Sequence, residues 1–207
     1  MARWKLDEGK GVAVRSSVGG LTGKLTNGAS WDHGAARPVV RLQDSRQQYV
    51  DLGNSKALDL TGPLTLLVWV KYEPTDVWYP GLLGKGYELT GTYGMHIRPG
   101  GTVWFELDAP DGTRHIHNPT DLCLTPGQWC HVAATYDGTT MRVYLNGREA
   151  GAGKAVTTAI RTNAEPLRFG WLGLYGFFNG CVRDASVYRR AMSGAEVFAQ
   201  YLAGKSG

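Results

Sequence analysis

The sequence predicts an all-β chain: a sandwich of two antiparallel sheets with one short C-terminal helix. Three observations predict it. Glycine supplies 29 of the 207 residues, at regular turn-like positions rather than in a low-complexity tract. Between the glycines lie short runs of β-branched and aromatic residues, which suit a pleated surface. A helical pattern with its own start and stop signals is found at 193–201. A chain of this length suits one domain over 1–207, and burying roughly 70% of its unfolded surface gives it a core without disulfides.

In chain order, residues 4–8 read as an edge strand, followed by a glycine-studded loop through Gly34. A strand pair or bend follows at 39–50, and Gln47-Gln48-Tyr49-Val50-Asp51-Leu52 alternates polar and apolar. The run 64–71 is almost continuously apolar, as a central strand would be. Two prolines break it in the loop 72–80, YEPTDVWYP, and 82–85 resumes as strand. Strands at 93–98 and 102–107 are joined by Pro99-Gly100-Gly101, and Pro110-Asp111-Gly112 turns the chain into a return strand at 113–117. Apolar runs at 132–136 and 141–145 flank Asp137-Gly138, and Asn146-Gly147 follows at once. Both dipeptides tolerate the positive φ of tight hairpin turns. After a polar loop at 155–163, the segments 167–170 and 182–188 complete the strands. In the helix, Ser193 and Glu196 form a capping box, and Val197, Phe198, Tyr201 and Leu202 give an apolar stripe that Gly204 ends.

Charge excludes several partners. The formal net charge is +4, from 22 basic and 18 acidic residues with no run of like sign, so no footprint for nucleic acid or an anionic membrane exists. No apolar stretch is long enough to insert into a membrane. The start, MARWKLDEGKG, has no apolar core of the signal-peptide kind. The chain therefore reads as a module of a larger secreted protein, with a cytoplasmic full-length protein as the other reading. Of the three cysteines, Cys123 and Cys130 flank a turn that would set two strands side by side, which leaves two readings, a disulfide or two small buried thiols, while Cys181 packs as core. No CxxC or His/Cys metal spacing, serine-nucleophile elbow or phosphate-cradling loop occurs.

Several stretches carry a family resemblance. QWCHVAATYDGTTMRVYLNGREA (128–150) resembles the W-x-H-V-A-x-T-Y-D-G…Y-x-N-G signature of laminin-G-like, concanavalin A-like jelly-roll domains. LTLLVWV (64–70) resembles their T-x-x-x-W-V strand, and Tyr49-Val50-Asp51-Leu52 their Y-V-x-L. NGCVRDASVYRRAMS (179–193) is similar to their G-x-I-D-D-V-R-I-Y-N-R-A-L-S ending, and WKLDEGKG to their W-x-x-D-E-G-x-G start. The resemblance spans nearly the whole chain and implies a jelly-roll connection of the sheets. Functionally it implies a non-catalytic glycan or polysaccharide-binding module or lectin-like domain, fused to or associated with a catalytic domain. Two other functions share the architecture: a protein-adhesion module, and a polysaccharide hydrolase or lyase. It also implies a structural calcium ion, with Asp7, Glu8, Asp32 and Asp184 as carboxylate ligands. Two acidic positions of the pattern are lost here, to Arg183 and to Arg15-Ser16-Ser17-Val18.

The candidate ligand-binding residues fall into two groups. Trp78 and Tyr79 stand between Asp76 and Pro80 in a loop, and Tyr175 and Phe177 lie in the glycine-flanked WLGLYGFFNG. Sugar C–H patches stack on such rings while a neighbouring acid such as Asp76 fixes hydroxyls. Trp69, Trp104 and Trp129 lie on strands and are expected in the core. The second group is Glu106, Asp108, His115 and His117. The acids are two apart on one strand, the histidines two apart on the next, and a turn at 110–112 would gather all four as a polar sugar-binding patch. ELDAPD is also similar to the E-x-D-x-x-E strand of family 16 glycoside hydrolases, although Asp111 replaces the third acid and Pro110 interrupts the strand.

Overall fold

The computed structural model describes residues 1–86, 90–173 and 176–205. Among these, sixteen strands join into one antiparallel sheet. In chain order they are β1 (Ala2–Trp4), β2 (Ala13–Val18), β3 (Thr22–Thr26), β4 (Ser30–Asp32), β5 (Val39–Leu42), β6 (Tyr49–Asp51), β7 (Leu64–Tyr72) and β8 (Gly81–Lys85). They continue with β9 (Tyr93–Ile97), β10 (Val103–Asp108), β11 (Arg114–His117), β12 (Trp129–Tyr136), β13 (Thr140–Leu145), β14 (Arg148–Ala155), β15 (Leu167–Phe169) and β16 (Gly180–Tyr188), before the helix α1 (Gly194–Lys205).

The hydrogen-bonded order is β11-β10-β9-β8-β15-β6-β3-β2-β1-β16-β7-β12-β13-β14, with β5 on β16 and β4 on β5. Two separate sheets are expected from the sequence, yet the ladder runs unbroken through β1 and β2. A register shift between Arg3 and Trp4 lets the chain bend there. The result is two limbs of one sheet, β8–β11 with β15, β6 and β3 on one side, and β16, β7 and β12–β14 on the other. Their free edges nearly meet: Lys154 Nζ of β14 donates to the Ile116 carbonyl of β11 at 2.7 Å, and the Gly151 amide donates to Asp121 Oδ2 at 2.9 Å.

Alternation along each strand fills one core between the limbs. Leu66, Val68 and Val70 of β7 and Val132, Ala134 and Tyr136 of β12 meet Met95, Phe105 and Leu107 of the opposite limb. Burial of one such side chain stabilises the fold by about 1.5–3 kcal/mol. The alternate positions therefore point away from this core. Trp69 and Trp104 are among them; both are buried, but under covering segments on the outer faces rather than in the main core.

Sequence patterning misplaces some elements. β1 is hydrogen-bonded on both sides, so it is not an edge strand. The expected loop through Gly34 holds β2, β3 and β4, whose polar sequences hide their period. The capping box forms as expected: the Ser193 amide donates to Glu196 Oε2 at 2.8 Å, and the Glu196 amide to Ser193 Oγ at 3.2 Å. Of the expected stripe, Val197 is buried with Leu67, Ala133, Tyr144 and Met192, while Phe198 and Leu202 are exposed. Gly204 does not end the helix. It permits a close approach, since a Cβ there would lie 2.3 Å from Trp69 Nε1. Cys123 and Cys130 are free thiols, one bridged to Thr102 and the other opposite Val70 on β12.

Candidate functional site

Pro74 and Pro80 prevent β7 from continuing into β8, so the chain between them crosses the rim of the first limb as a loop. The Thr75 hydroxyl accepts from the Val77 amide at 3.0 Å, and Tyr79 takes a left-handed backbone with φ of 50°. This geometry separates the two loop aromatics. The Tyr79 ring turns inward and stacks on Trp104, with centroids 4.8 Å apart and planes at 18°. Trp78 turns outward and is 67% exposed. Among the described residues, its one aromatic neighbour is Tyr79, met edge-on at 5.8 Å.

Beside Trp78 lies a cleft of about 290 Å³ between this loop and the turn from β9 to β10. Asp76 and Trp78 line one wall, Arg98, Pro99 and Gly100 the other. Gly100 and Gly101, with φ of 90° and 84°, make that turn, and a side chain there would meet strain. Asp76 is exposed and Arg98 half-buried, and neither forms an ion pair or side-chain hydrogen bond with a described residue. Arg98 carried no signal in the sequence. It follows a strand and precedes an ordinary turn, and only the fold brings that turn against the loop.

The second aromatic segment packs rather than presents. Trp171 stacks on Phe177 at 5.3 Å with planes at 12°, Tyr49 lies 5.2 Å from Trp171, and the Arg168 guanidinium sits 5.0 Å above it. Phe178 is core. Tyr175 lies outside the described residues. The Gly176 amide donates to the Trp78 carbonyl at 2.7 Å, so this segment braces the Trp78 loop.

Register corrects the expected cluster of Glu106, Asp108, His115 and His117. Glu106 faces Ile116 and Asp108 faces Arg114, whereas His115 and His117 stand opposite Leu107 and Phe105. A turn centred on Asp111 pairs even positions with even ones, so the histidines share the opposite face of the sheet. The acids find other partners. His96 Nε2 lies 3.0 Å from Glu106 Oε1, and Arg114 Nε donates to Asp108 Oδ1 at 2.9 Å. Burial pushes the Glu106 carboxyl up, but the charge and hydrogen bond of His96, with Arg114 nearby, outweigh it and hold the group below its ordinary range. At Asp108 burial prevails over Arg114, and the carboxyl is raised. Both acids are covered, at 5% and 2% exposure. Leu172 lies across this face so closely that a Cβ at Gly81 or Gly84 would stand 2.6 or 2.8 Å from its side chain. This is a sealed floor, not an open acidic groove.

The calcium expectation fares no better against the donor set. Arg37 stands between Asp7 and Asp184, pairing with the first at 3.5 Å and hydrogen-bonding the second, which Arg3 also approaches at 3.5 Å. Glu8 accepts from the Arg15 amide at 2.6 Å, and Asp32 from the Gly34 amide at 2.8 Å. Among the described residues no three His, Cys, Asp or Glu side chains converge as metal ligands. These acids do not fit a shared calcium ion; a guanidinium takes the cation's place between two of them.

Comparison with known proteins bears on the fold. The family model described as the concanavalin A-like lectin/glucanases superfamily matches residues 44–198. Pappalysin-1 of Mus musculus is 30% identical over 76 residues, covering 35% of this chain and 5% of that protein. Among solved structures, the binding domain of Paraclostridial Mosquitocidal Protein 1 superposes with a TM-score of 0.79 at 13% identity, over 98% of this chain and 52% of that one. Domain 4 of AbnA, a GH43 extracellular arabinanase from Geobacillus stearothermophilus, in complex with arabinotriose, gives 0.73 at 18% identity over 96% of each chain. The chain thus spans about half of the mosquitocidal binding domain and a small part of Pappalysin-1. At these identities the structural likeness is one of fold.

Proposed function

The chain belongs to the concanavalin A-like lectin/glucanases superfamily, and from that premise we propose that it is a non-catalytic glycan-binding module whose site is the Trp78 cleft. The observation that carries this reading is Trp78 itself, a large ring 67% exposed beside a cleft with an unpaired carboxylate. A flat apolar ring next to a polar group matches the two faces of a sugar, C–H patches for stacking and hydroxyls for hydrogen bonds. In this reading Trp78 is the platform and Asp76 accepts from hydroxyls. Tyr79, stacked on Trp104, positions Trp78, and Gly176 braces the loop. Glu106 and Asp108 belong to the floor beneath, and His115 and His117 lie on the other face, away from the ligand. The arabinotriose held by domain 4 of AbnA supports a glycan as the ligand class. A jelly-roll connection of the two limbs, a single domain over 1–207, and a setting outside the cell beside a catalytic partner accord with it.

A shallow cleft buries little area, so affinity is modest. Retardation of the native protein in gels containing arabinan, galactan or polygalacturonate tests the reading. At least one polymer should retard the wild type, and Trp78→Ala should weaken that retardation more than tenfold. Retardation untouched by Trp78→Ala would move the site elsewhere, and an unretarded wild type across the panel would favour a protein ligand instead.

A further inference from the structure

We infer that the Trp78 cleft selects glycans that carry a carboxylate, and that Arg98 reads that charge. The inference rests on the glycan reading of the same cleft. Its starting point is a guanidinium without a counter-ion. Arg37, Arg41, Arg114, Arg142 and Arg168 each lie within 3.5 Å of a carboxylate. Arg98 is half-buried in the cleft wall, and its side chain has no hydrogen-bond or ion-pair partner among the described residues. A guanidinium partly stripped of water favours an anion, and its planar fork of donors matches a carboxylate through two parallel hydrogen bonds.

The other wall narrows the choice. Asp76 faces the same cleft and pairs with no described residue, so a polymer with two or more anionic groups on each sugar would meet repulsion there. The chain as a whole has a formal net charge of +4 with no basic run, and thus no extended track for a heavily sulfated polymer. A sugar with a single carboxylate satisfies all three groups together. Its ring stacks on Trp78, its hydroxyls donate to Asp76, and its carboxylate accepts from Arg98.

The test compares polygalacturonate and alginate with galactan, arabinan and dextran sulfate, by isothermal titration and gel retardation at low and physiological salt. The wild type should bind a uronate polymer about tenfold more tightly than its neutral counterpart, a gain typical of a charge-assisted pair. Arg98→Gln should weaken uronate binding about tenfold and so remove that preference, while Arg98→Lys, with charge but no fork, should restore only part of it. Equal binding of uronate and neutral polymers by the wild type overturns the inference, as does a preference that survives Arg98→Gln or tightest binding to dextran sulfate. If neutral binding is nonetheless lost in Trp78→Ala, the glycan site stands without its charge selection. Absence of binding to every polymer overturns both.

Discussion

The two outer faces of the sheet carry the same three side chains and use them differently. On the β7–β12 face, Trp69 lies 5.3 Å from His131, and Tyr201 stacks on it at 5.8 Å with planes at 21°. On the β9–β10 face, Trp104 lies 5.2 Å from His96, and Tyr79 stacks on it at 4.8 Å with planes at 18°. Each trio is tryptophan, histidine and tyrosine. The covering element differs. Tyr201 comes from a helix whose Gly204 presses onto the indole, so that face is closed over the ring, beside a cleft of about 200 Å³ between the helix and Arg3, His131 and Asp184. Tyr79 comes from a proline-bounded loop in which the next residue back, Trp78, is turned to solvent. The histidines diverge as well: His96 has Glu106 at 3.0 Å, whereas burial alone acts on His131 and pushes its pKa down to about 4. Aromatic content therefore does not mark the site; the backbone of the covering segment does.

The largest effect should fall on the closed face. Trp69→Ala removes the surface to which Tyr201, Arg183 and Gly204 all pack, and should destabilise the protein by about 3–5 kcal/mol in urea unfolding. Glycan binding by the folded fraction should be unchanged, because the Trp78 loop lies on the other face. A parallel loss of binding would mean that the two faces are coupled.

Next comes pH. His131 has a folded pKa of about 4 against an ordinary 6.5. In that interval the unfolded chain binds a proton that the folded one does not, so stability rises with pH. The contribution is complete above pH 6.5 and is lost as pH falls towards about 4. The slope from this group alone is about 1.4 kcal/mol per pH unit. Urea titrations across the interval should show it, and His131→Gln should flatten the curve there.

The fold was far easier to read from the residues than the site. Long apolar runs such as 64–72 and 129–136 announce strands because period and propensity agree, and Asp137-Gly138 fixes the hairpin between β12 and β13. The strands at 13–18 and 22–26 escaped notice because each contributes few core side chains and is held mainly by its neighbours' ladders. The proline-bounded loop leaves Trp78 exposed, but the same loop turns Tyr79 inward, a difference that loop composition does not announce. Phe177 was not separable from Trp78 on that ground either, since its stacking on Trp171 is a contact that composition does not show. The histidines of β11 were misplaced by strand register, and Arg98 was invisible because its cleft exists only once two loops meet.

The smallest stability effect, and the sharpest separation of binding from folding, belongs to Tyr79. Its positive φ costs a side chain about 1 kcal/mol relative to glycine, while its stack on Trp104 returns about 0.5–1.5 kcal/mol. Tyr79→Gly exchanges one for the other, so unfolding free energy should change by less than about 1 kcal/mol. The loop, however, loses the ring that anchors it, and Trp78 must then be ordered by the ligand itself. Immobilising one such side chain costs about 0.5–1.5 kcal/mol, which predicts binding weakened roughly two- to tenfold through faster dissociation. Wild-type affinity in Tyr79→Gly would show that the outward Trp78 is set by the prolines and the Gly176 hydrogen bond alone, and that the stacked tyrosine serves the floor rather than the platform.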